Sequence, residues 1–350
     1  MNNKKKYIVA AVIALFVILA VVIGLNYSKE EPVKELTYAV FPYVTDNDYY
    51  MDLIEEKWKE TEPGIRLVRT EYNCYHDTDP GDIDVFIYDV YMQNDLIQNG
   101  WIQPIDREMI QDAEDFYPFS LEGATVDGKI YGIPIFLCGN FLIYDKNCEA
   151  LARADHITDL SDQEELLLIA TEHKNTSIQY HDEATADILG VGNPAGLECP
   201  EADQIMSLID RLAIDSYQGT ELEDLPAIYD QGIGMGFMGF SEYLPMLDKR
   251  LDDTDIKQIS FGEGDNIKRF YVDMAAVNGK VDGKRYEKCV ELVNIMADAE
   301  LLADYSSYQN KPKYLLMARK EIYDLLKERY PLYKRLQTVI DGSDNFVIMD

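Results

Sequence analysis

Apolar residues along this chain fall into three spacings, and each predicts a different kind of element. The first is the unbroken run Tyr7 to Leu25, 19 residues long. At ~1.5 Å per residue it makes a helix of about 28 Å, close to the ~30 Å hydrocarbon core of a bilayer. Lys4, Lys5 and Lys6 precede it, and Asn26, Lys29 and Glu30 follow, which orients the N-terminus inside. Leu25-Asn26-Tyr27 is not a small-x-small cleavage site, and no Cys follows the run as a lipoprotein would need. Residues 1–28 therefore read as an uncleaved signal anchor and 29–35 as a linker. The body lies outside the cytoplasm, held to the cell membrane by this helix, or secreted if the helix is cleaved.

The second spacing predicts strands: Leu36 to Val44, Ile65 to Tyr72, Asp84 to Asp89, Tyr131 to Tyr144, Gly232 to Phe240 and Arg269 to Val277. The third is helical. Tyr50, Leu53, Ile54 and Trp58 recur at helix spacing within Tyr49 to Thr61, and the pattern returns over Met92 to Asn99, Gln163 to His173 and Ala202 to Ile214. A polar loop containing Gly and Pro is expected between the last two. The chain ends in helices over Arg285 to Tyr305 and Lys313 to Tyr330. Early βαβ patterning predicts an α/β lobe with a largely parallel sheet. Strands that return after helices predict two lobes crossed more than once: 36–140 with 268–310, and 141–267 with 311–350. Ligands of open α/β folds bind in such clefts.

Charge narrows the function. With 32 basic and 64 acidic residues the net charge is −32. Nucleic acid is excluded, because a phosphate backbone is bound by clustered Lys and Arg. Contact with a membrane is expected only through the N-terminal helix. At 47% hydrophobic residues the chain is too apolar for an acidic disordered protein. Twenty-five tyrosines against twelve phenylalanines is an unusual surplus.

Several segments could carry chemistry. Asn73-Cys74-Tyr75-His76-Asp77-Thr78-Asp79 clusters potential ligands, but its spacing matches no zinc or calcium pattern, so no metal is expected. The glycines of Gly232 to Gly239 lack the long helix that a dinucleotide site requires, since Pro245 cuts it short; no cofactor is expected. Glu242, just past that strand, is either a turn carboxylate or a cleft acid. Cys138 lies inside Tyr131 to Tyr144, before Gly139 and Asn140, whose presence in an apolar run implies a break at a lobe junction. Two readings of Cys138 stay open on these grounds: a buried inert thiol, or a nucleophile. Five cysteines leave at least one unpaired.

Taken together these segments resemble the thiaminase I (thiamine pyridinylase) family. The resemblance is carried by Phe41-Pro42-Tyr43-Val44 with Asp46, Asn73-Cys74-Tyr75, Asp84 to Asp89, Tyr131-Gly132-Ile133-Pro134 leading to Cys138, Gly239-Phe240-Ser241-Glu242, and Phe270-Tyr271-Val272-Asp273. It covers most of 36–330. It implies a two-lobed fold like the type II periplasmic binding proteins, with thiamine in the cleft and its thiazole replaced by an external amine or thiol. On the same resemblance, Cys138 is the nucleophile, Glu242 the general base, and Tyr43, Tyr75, Asp89, Tyr271 and Asp273 line the pyrimidine site. Phe41 and Phe240 depart from the family's usual tyrosines, which keeps ring stacking and loses a hydroxyl. The tyrosine surplus suits a flat heteroaromatic ligand. The rival readings are a solute-binding protein of the same fold without catalysis, and a structural ectodomain.

Overall fold

The computed structural model describes residues 32–341 and 345–347, apart from 42–45, 78, 163–166, 170–173, 192–193, 195–196, 213–223 and 262–267. The expected anchor and Tyr43 lie outside the described residues. Among the described residues no helix is long and apolar enough to cross a membrane.

The strands are β1 Glu35–Ala39, β2 Arg66–Arg69, β3 Val85–Asp89, β4 Ile102–Gln103, β5 Thr125–Val126, β6 Lys129–Ile130, β7 Ile133–Cys138, β8 Phe141–Asp145, β9 Leu167–Leu168, β10 Gly236–Gly239, β11 Thr254–Lys257, β12 Lys268–Asn278, β13 Leu316–Met317 and β14 Asn345–Val347. The helices are α1 Asn47–Thr61, α2 Gln93–Gln98, α3 Pro118–Gly123, α4 Glu149–Arg153, α5 Lys174–Leu189, α6 Pro200–Leu212, α7 Leu225–Asp230, α8 Gly283–Met296, α9 Ala299–Ser306, α10 Glu321–Leu326 and α11 Leu332–Ile340. One sheet runs β13-β7-β12-β3-β1-β2, with β4 and β14 also on β12; a second runs β11-β8-β10-β9.

β1 pairs in parallel with β2 and β3, as the βαβ pattern predicts. β12, however, is antiparallel to both β3 and β7, so the large sheet is mixed rather than largely parallel. The path of the chain explains this. β7 leaves for the second sheet at its C-terminal end, and β12 returns from the second sheet at that same end. Tyr131 to Tyr144 is accordingly not one strand: β7 and β8 belong to different sheets, and Gly139 and Asn140 are the crossing between them. A side chain at Gly139 would stand 3.0 Å from Gln258 Nε2 and 3.1 Å from the Arg269 carbonyl, so the outgoing and returning crossings touch here.

Four other expectations need correction. Leu167–Leu168, expected within a helix, is strand β9, parallel to β10. The segment expected to be a polar loop after it contains α5. Its inward face holds Tyr180 and Ala184 but also Glu183, Thr185 and Asp187, so no apolar stripe marks it. Lys313 to Tyr330 is not one helix: β13 precedes α10. Residues 311–350 also do not belong wholly to the second lobe, because β13 pairs with β7 and β14 with β12. Buried Leu316 and Met317 fix that attachment, while α11 packs against β11 of the second sheet.

The apolar residues form two cores: the larger spans the first sheet and one face of the second, through Phe141, Ile143, Phe237 and Ile256, and the smaller lies on the second sheet's other face. The larger gathers residues such as Leu36, Phe86, Ile133, Val272 and Leu292; the smaller gathers Leu142, Leu151, Tyr180, Ile209 and Met238. Each fully buried side chain of this kind stabilises by about 1.5–3 kcal/mol.

Candidate active site

Strand alternation brings the predicted residues to one face. Cys138 is the last residue of β7 and stands directly opposite Tyr271 of β12. Two residues along β12, Asp273 stands opposite Asp89, the last residue of β3. Side chains two apart on a strand share a face, and directly paired residues point the same way. Cys138, Tyr271, Asp273 and Asp89 therefore project from one side of the sheet, at the end where β7 crosses out. Phe136, opposite Asp273, joins them. A register shift after Asp273 ends this arrangement, and Met274 beyond it is fully buried.

The loop after β2 adds Tyr75, whose hydroxyl donates to Asp89 Oδ2 at 2.5 Å. The Tyr91 backbone N–H donates to the other oxygen at 2.9 Å. Phe41 lies beside Tyr75, ring centroids 5.8 Å apart. Tyr75 itself is 45% exposed, and Cys138, Asp273 and Glu242 are half-buried, so this face is reachable from solvent. Glu242 comes from the other lobe. It sits in the 3-10 turn Ser241–Met246 that follows β10, and Pro245 keeps that turn short. Asp46, at the start of α1, is held by Lys313.

Electrostatics couple these groups across the two lobes. Burial pushes the Cys138 thiol well up, and the Glu242, Asp273 and Asp89 carboxylates add to it; the Gly139 N–H opposes them by hydrogen-bonding the sulfur. Burial raises Glu242 to about 7. Asp273 is raised well above the carboxylate range by burial, then by Asp89 and Glu242. Asp89 is also raised by burial, but Tyr75 and the Tyr91 N–H favour its anion. Two buried carboxylates face to face do not both ionise readily. The pair is thus biased toward a protonated Asp273 beside an anionic Asp89.

Sequence reasoning missed several neighbours. Tyr305 packs near Phe136, centroids 6.0 Å apart, and feels the Glu242 charge. Glu183 and Asp182 act electrostatically on Tyr271. Nothing local distinguishes Tyr305 among so many tyrosines, and Glu183 reads as one acid among 64. Cys74 is buried, with its thiol pushed up to about 12, mainly by burial. All five cysteines are free, and Cys138 is the one that is not fully buried. A cavity of about 220 Å³ lies elsewhere, beyond the crossing, lined by Asn140, Glu183, Asp187, Gln258, Arg269 and Arg335 among others; neither Cys138 nor Glu242 borders it.

No known family profile matches the chain. It is 28% identical over 380 aligned residues to thiaminase-1 of Paenibacillus thiaminolyticus, covering 99% of this chain and 92% of that protein. Among solved structures it is similar to Clostridium botulinum thiaminase I in complex with thiamin, with TM-score 0.84 and 25% identity over 90% of this chain and 94% of that one. Thiaminase I from Bacillus thiaminolyticus gives TM-score 0.83 and 26% identity over the same shares. A maltose-bound binding protein of T. maritima shares the fold alone, with TM-score 0.67 and 14% identity over 89% of this chain and 88% of that one.

Proposed function

Starting from a chain that is a homologue of thiaminase I with the periplasmic-binding-protein-like α/β fold, we propose that it is a thiamine pyridinylase, replacing the thiazole of thiamine by an external amine or thiol through a covalent Cys138 adduct. One observation carries the residue roles: Cys138, Tyr271, Asp273 and Asp89 share a sheet face, and Glu242 of the opposite lobe is coupled to that face electrostatically.

Glu242, raised to about 7, is matched to proton transfer near neutrality. It takes the thiol proton as Cys138 sulfur adds to the pyrimidine carbon next to a ring nitrogen. The Gly139 N–H steadies the negative sulfur. Protonated Asp273 supplies a proton to a ring nitrogen as electron density moves onto the ring. Anionic Asp89 accepts from the exocyclic amino group. The exocyclic carbon–nitrogen bond then breaks, its electron pair leaving on a neutral thiazole. Glu242 passes the thiol proton to solvent, and the incoming amine or thiol then adds to the exocyclic carbon and loses its proton to Glu242. The Cys138–carbon bond breaks as Asp273 recovers its proton, and the departing thiolate takes the proton from Glu242. One proton is released per turnover, which balances the positive charge lost from the thiazolium. Tyr75 and Tyr271 offer aromatic faces to the pyrimidine. No cofactor enters.

The test mixes the body, residues 29–350, with thiamine and aniline. Thiamine is expected to disappear as free thiazole accumulates. Cys138→Ser is expected to abolish this, since a hydroxyl is far less ionised than a thiol. Glu242→Gln is expected to lower kcat at least 100-fold with thiamine still bound. A solute-binding protein would return thiamine intact from parent and variants alike, and that result would sink the proposal.

A further inference from the structure

The nucleophile and the base sit on different lobes, so their alignment depends on the crossings that join the lobes. Both crossings described above are held by one helix face. On α5, Glu183 and Asp187 lie one turn apart, 6% and 7% exposed. Glu183 Oε1 accepts from Asn140 Nδ2 at 2.6 Å, and Asn140 is two residues beyond Cys138. Asp187 Oδ2 accepts from Ser260 Oγ at 2.9 Å and the Phe261 N–H at 2.8 Å on the returning crossing. Asp187 Oδ1 accepts from Arg269 Nε at 2.8 Å, two residues before Tyr271. Gln258 Nε2 donates to the Arg269 carbonyl at 2.6 Å, tying the returning segment to β12.

We infer that Glu183 is a positioning residue: by holding Asn140 it fixes the end of β7, and so sets Cys138 against Glu242 across the lobe junction. Three features favour this over a generic buried hydrogen bond. The bond is made to the crossing itself rather than to a neighbouring helix or strand. Glu183 also acts electrostatically on Tyr271, directly opposite Cys138. And the helix that carries it belongs to the second lobe's core, whereas Cys138 ends a strand of the first lobe's sheet. A hydrogen-bonded buried carboxylate and amide leave little freedom to either partner. Glu183 touches no reacting atom, and the inference rests on the thiaminase reading above.

The test is a kinetic cycle on the body with thiamine and aniline. Glu183→Ala and Asn140→Ala are each expected to lower kcat at least 10-fold while KM moves less than threefold. The double variant is expected to fall no further than either single one. Glu183→Gln, whose amide oxygen can still accept from Asn140, is expected to restore kcat to within threefold of the parent. Unchanged kcat in Glu183→Ala, multiplicative losses in the double variant, or a Gln variant as poor as the Ala variant would each overturn the inference. If the alanine variants do not fold, Asn140→Ser replaces them under the same criteria, read against the parent and Glu183→Gln. If the parent itself does not consume thiamine, the functional reading fails first. Positioning is then read from the rate of Cys138 alkylation by iodoacetamide, followed by mass spectrometry. A change of threefold or more in Glu183→Ala, absent from Glu183→Gln, supports it; an unchanged rate overturns it.

Discussion

Tyr75 is the side chain that decides which carboxylate of the buried pair keeps its charge. Its hydroxyl donates to Asp89 at 2.5 Å. A hydrogen bond to a charged group contributes about 1.5–3 kcal/mol. Tyr75→Phe should therefore lower kcat/KM about 10-fold or more, since ~1.4 kcal/mol is tenfold, and Asp273→Asn should be worse than Asp89→Asn, because an amide oxygen can still accept from the amino group whereas an amide N–H cannot give up its proton to the ring. Steady-state kinetics on thiamine decide both; an Asp89→Asn variant poorer than Asp273→Asn would reverse the assigned roles. Glu242 makes a second prediction. Because the base must be unprotonated and titrates at about 7, kcat/KM should fall about tenfold per pH unit below that value, and this limb should vanish from the residual activity of Glu242→Gln. These residues were legible because motifs in the right order pointed to them. Their convergence was not, since Asp89 and Asp273 meet only through pairing of β3 with β12, far apart in the chain. Glu183 was invisible for the opposite reason: a polar residue facing inward erases the periodicity by which a helix is read.

At the level of elements, β12 organises the molecule. It pairs with β3, β7, β4 and β14 and carries Arg269, Tyr271 and Asp273 at successive same-face positions. Its far end is fixed by a close backbone approach. A side chain at Gly279 would stand 2.0 Å from the Gly100 carbonyl oxygen, so Gly279→Ala must push two segments apart. Overpacking of this kind costs about 1–3 kcal/mol, occasionally more. Urea denaturation should show a loss of about 3 kcal/mol, while Gly64→Ala, with open space around it, should behave as the parent. The pattern of apolar residues located β1, α1, β3 and β12 because each has a clear spacing and a clean boundary. It wrote β7 and β8 as one run because both strands are buried on both faces, and only Gly139 and Asn140 between them marked the break. It expected parallel strands because direction is set by where a chain re-enters a sheet, which local spacing does not encode.

For the whole molecule, acid and base act unequally on stability. Burial raises Glu242 to about 7 and Glu183 to about 8, against ~4.3 for a free glutamate. Around Glu183, Asp187 and Asp182 raise the value while Arg269 and the Asn140 hydrogen bond lower it. In that interval the folded chain binds protons that the unfolded chain has released, so stability is fully present below ~4.3 and declines as pH rises through 7 and 8. Calorimetry should show Tm falling between about pH 5 and pH 8.5, with part of the slope removed by Glu183→Gln; a Tm rising over that range would contradict it. The net charge of −32 adds repulsion in the same direction. We further propose that Tyr7 to Leu25 tethers the body outside the cytoplasm: the protein should stay with membranes after a high-salt wash, and a soluble form starting near residue 27 would refute this. The last strand, β14, has a different kind of consequence. It lies along Lys268 to Phe270, the residues just before Tyr271, and Val347 crowds against Gly123. β14 is far from β12 along the chain and reaches it by pairing across the sheet, so a clip in the segment between them would be expected to strip β12 of that support while Cys138, Glu242 and Tyr271 stayed joined in one piece.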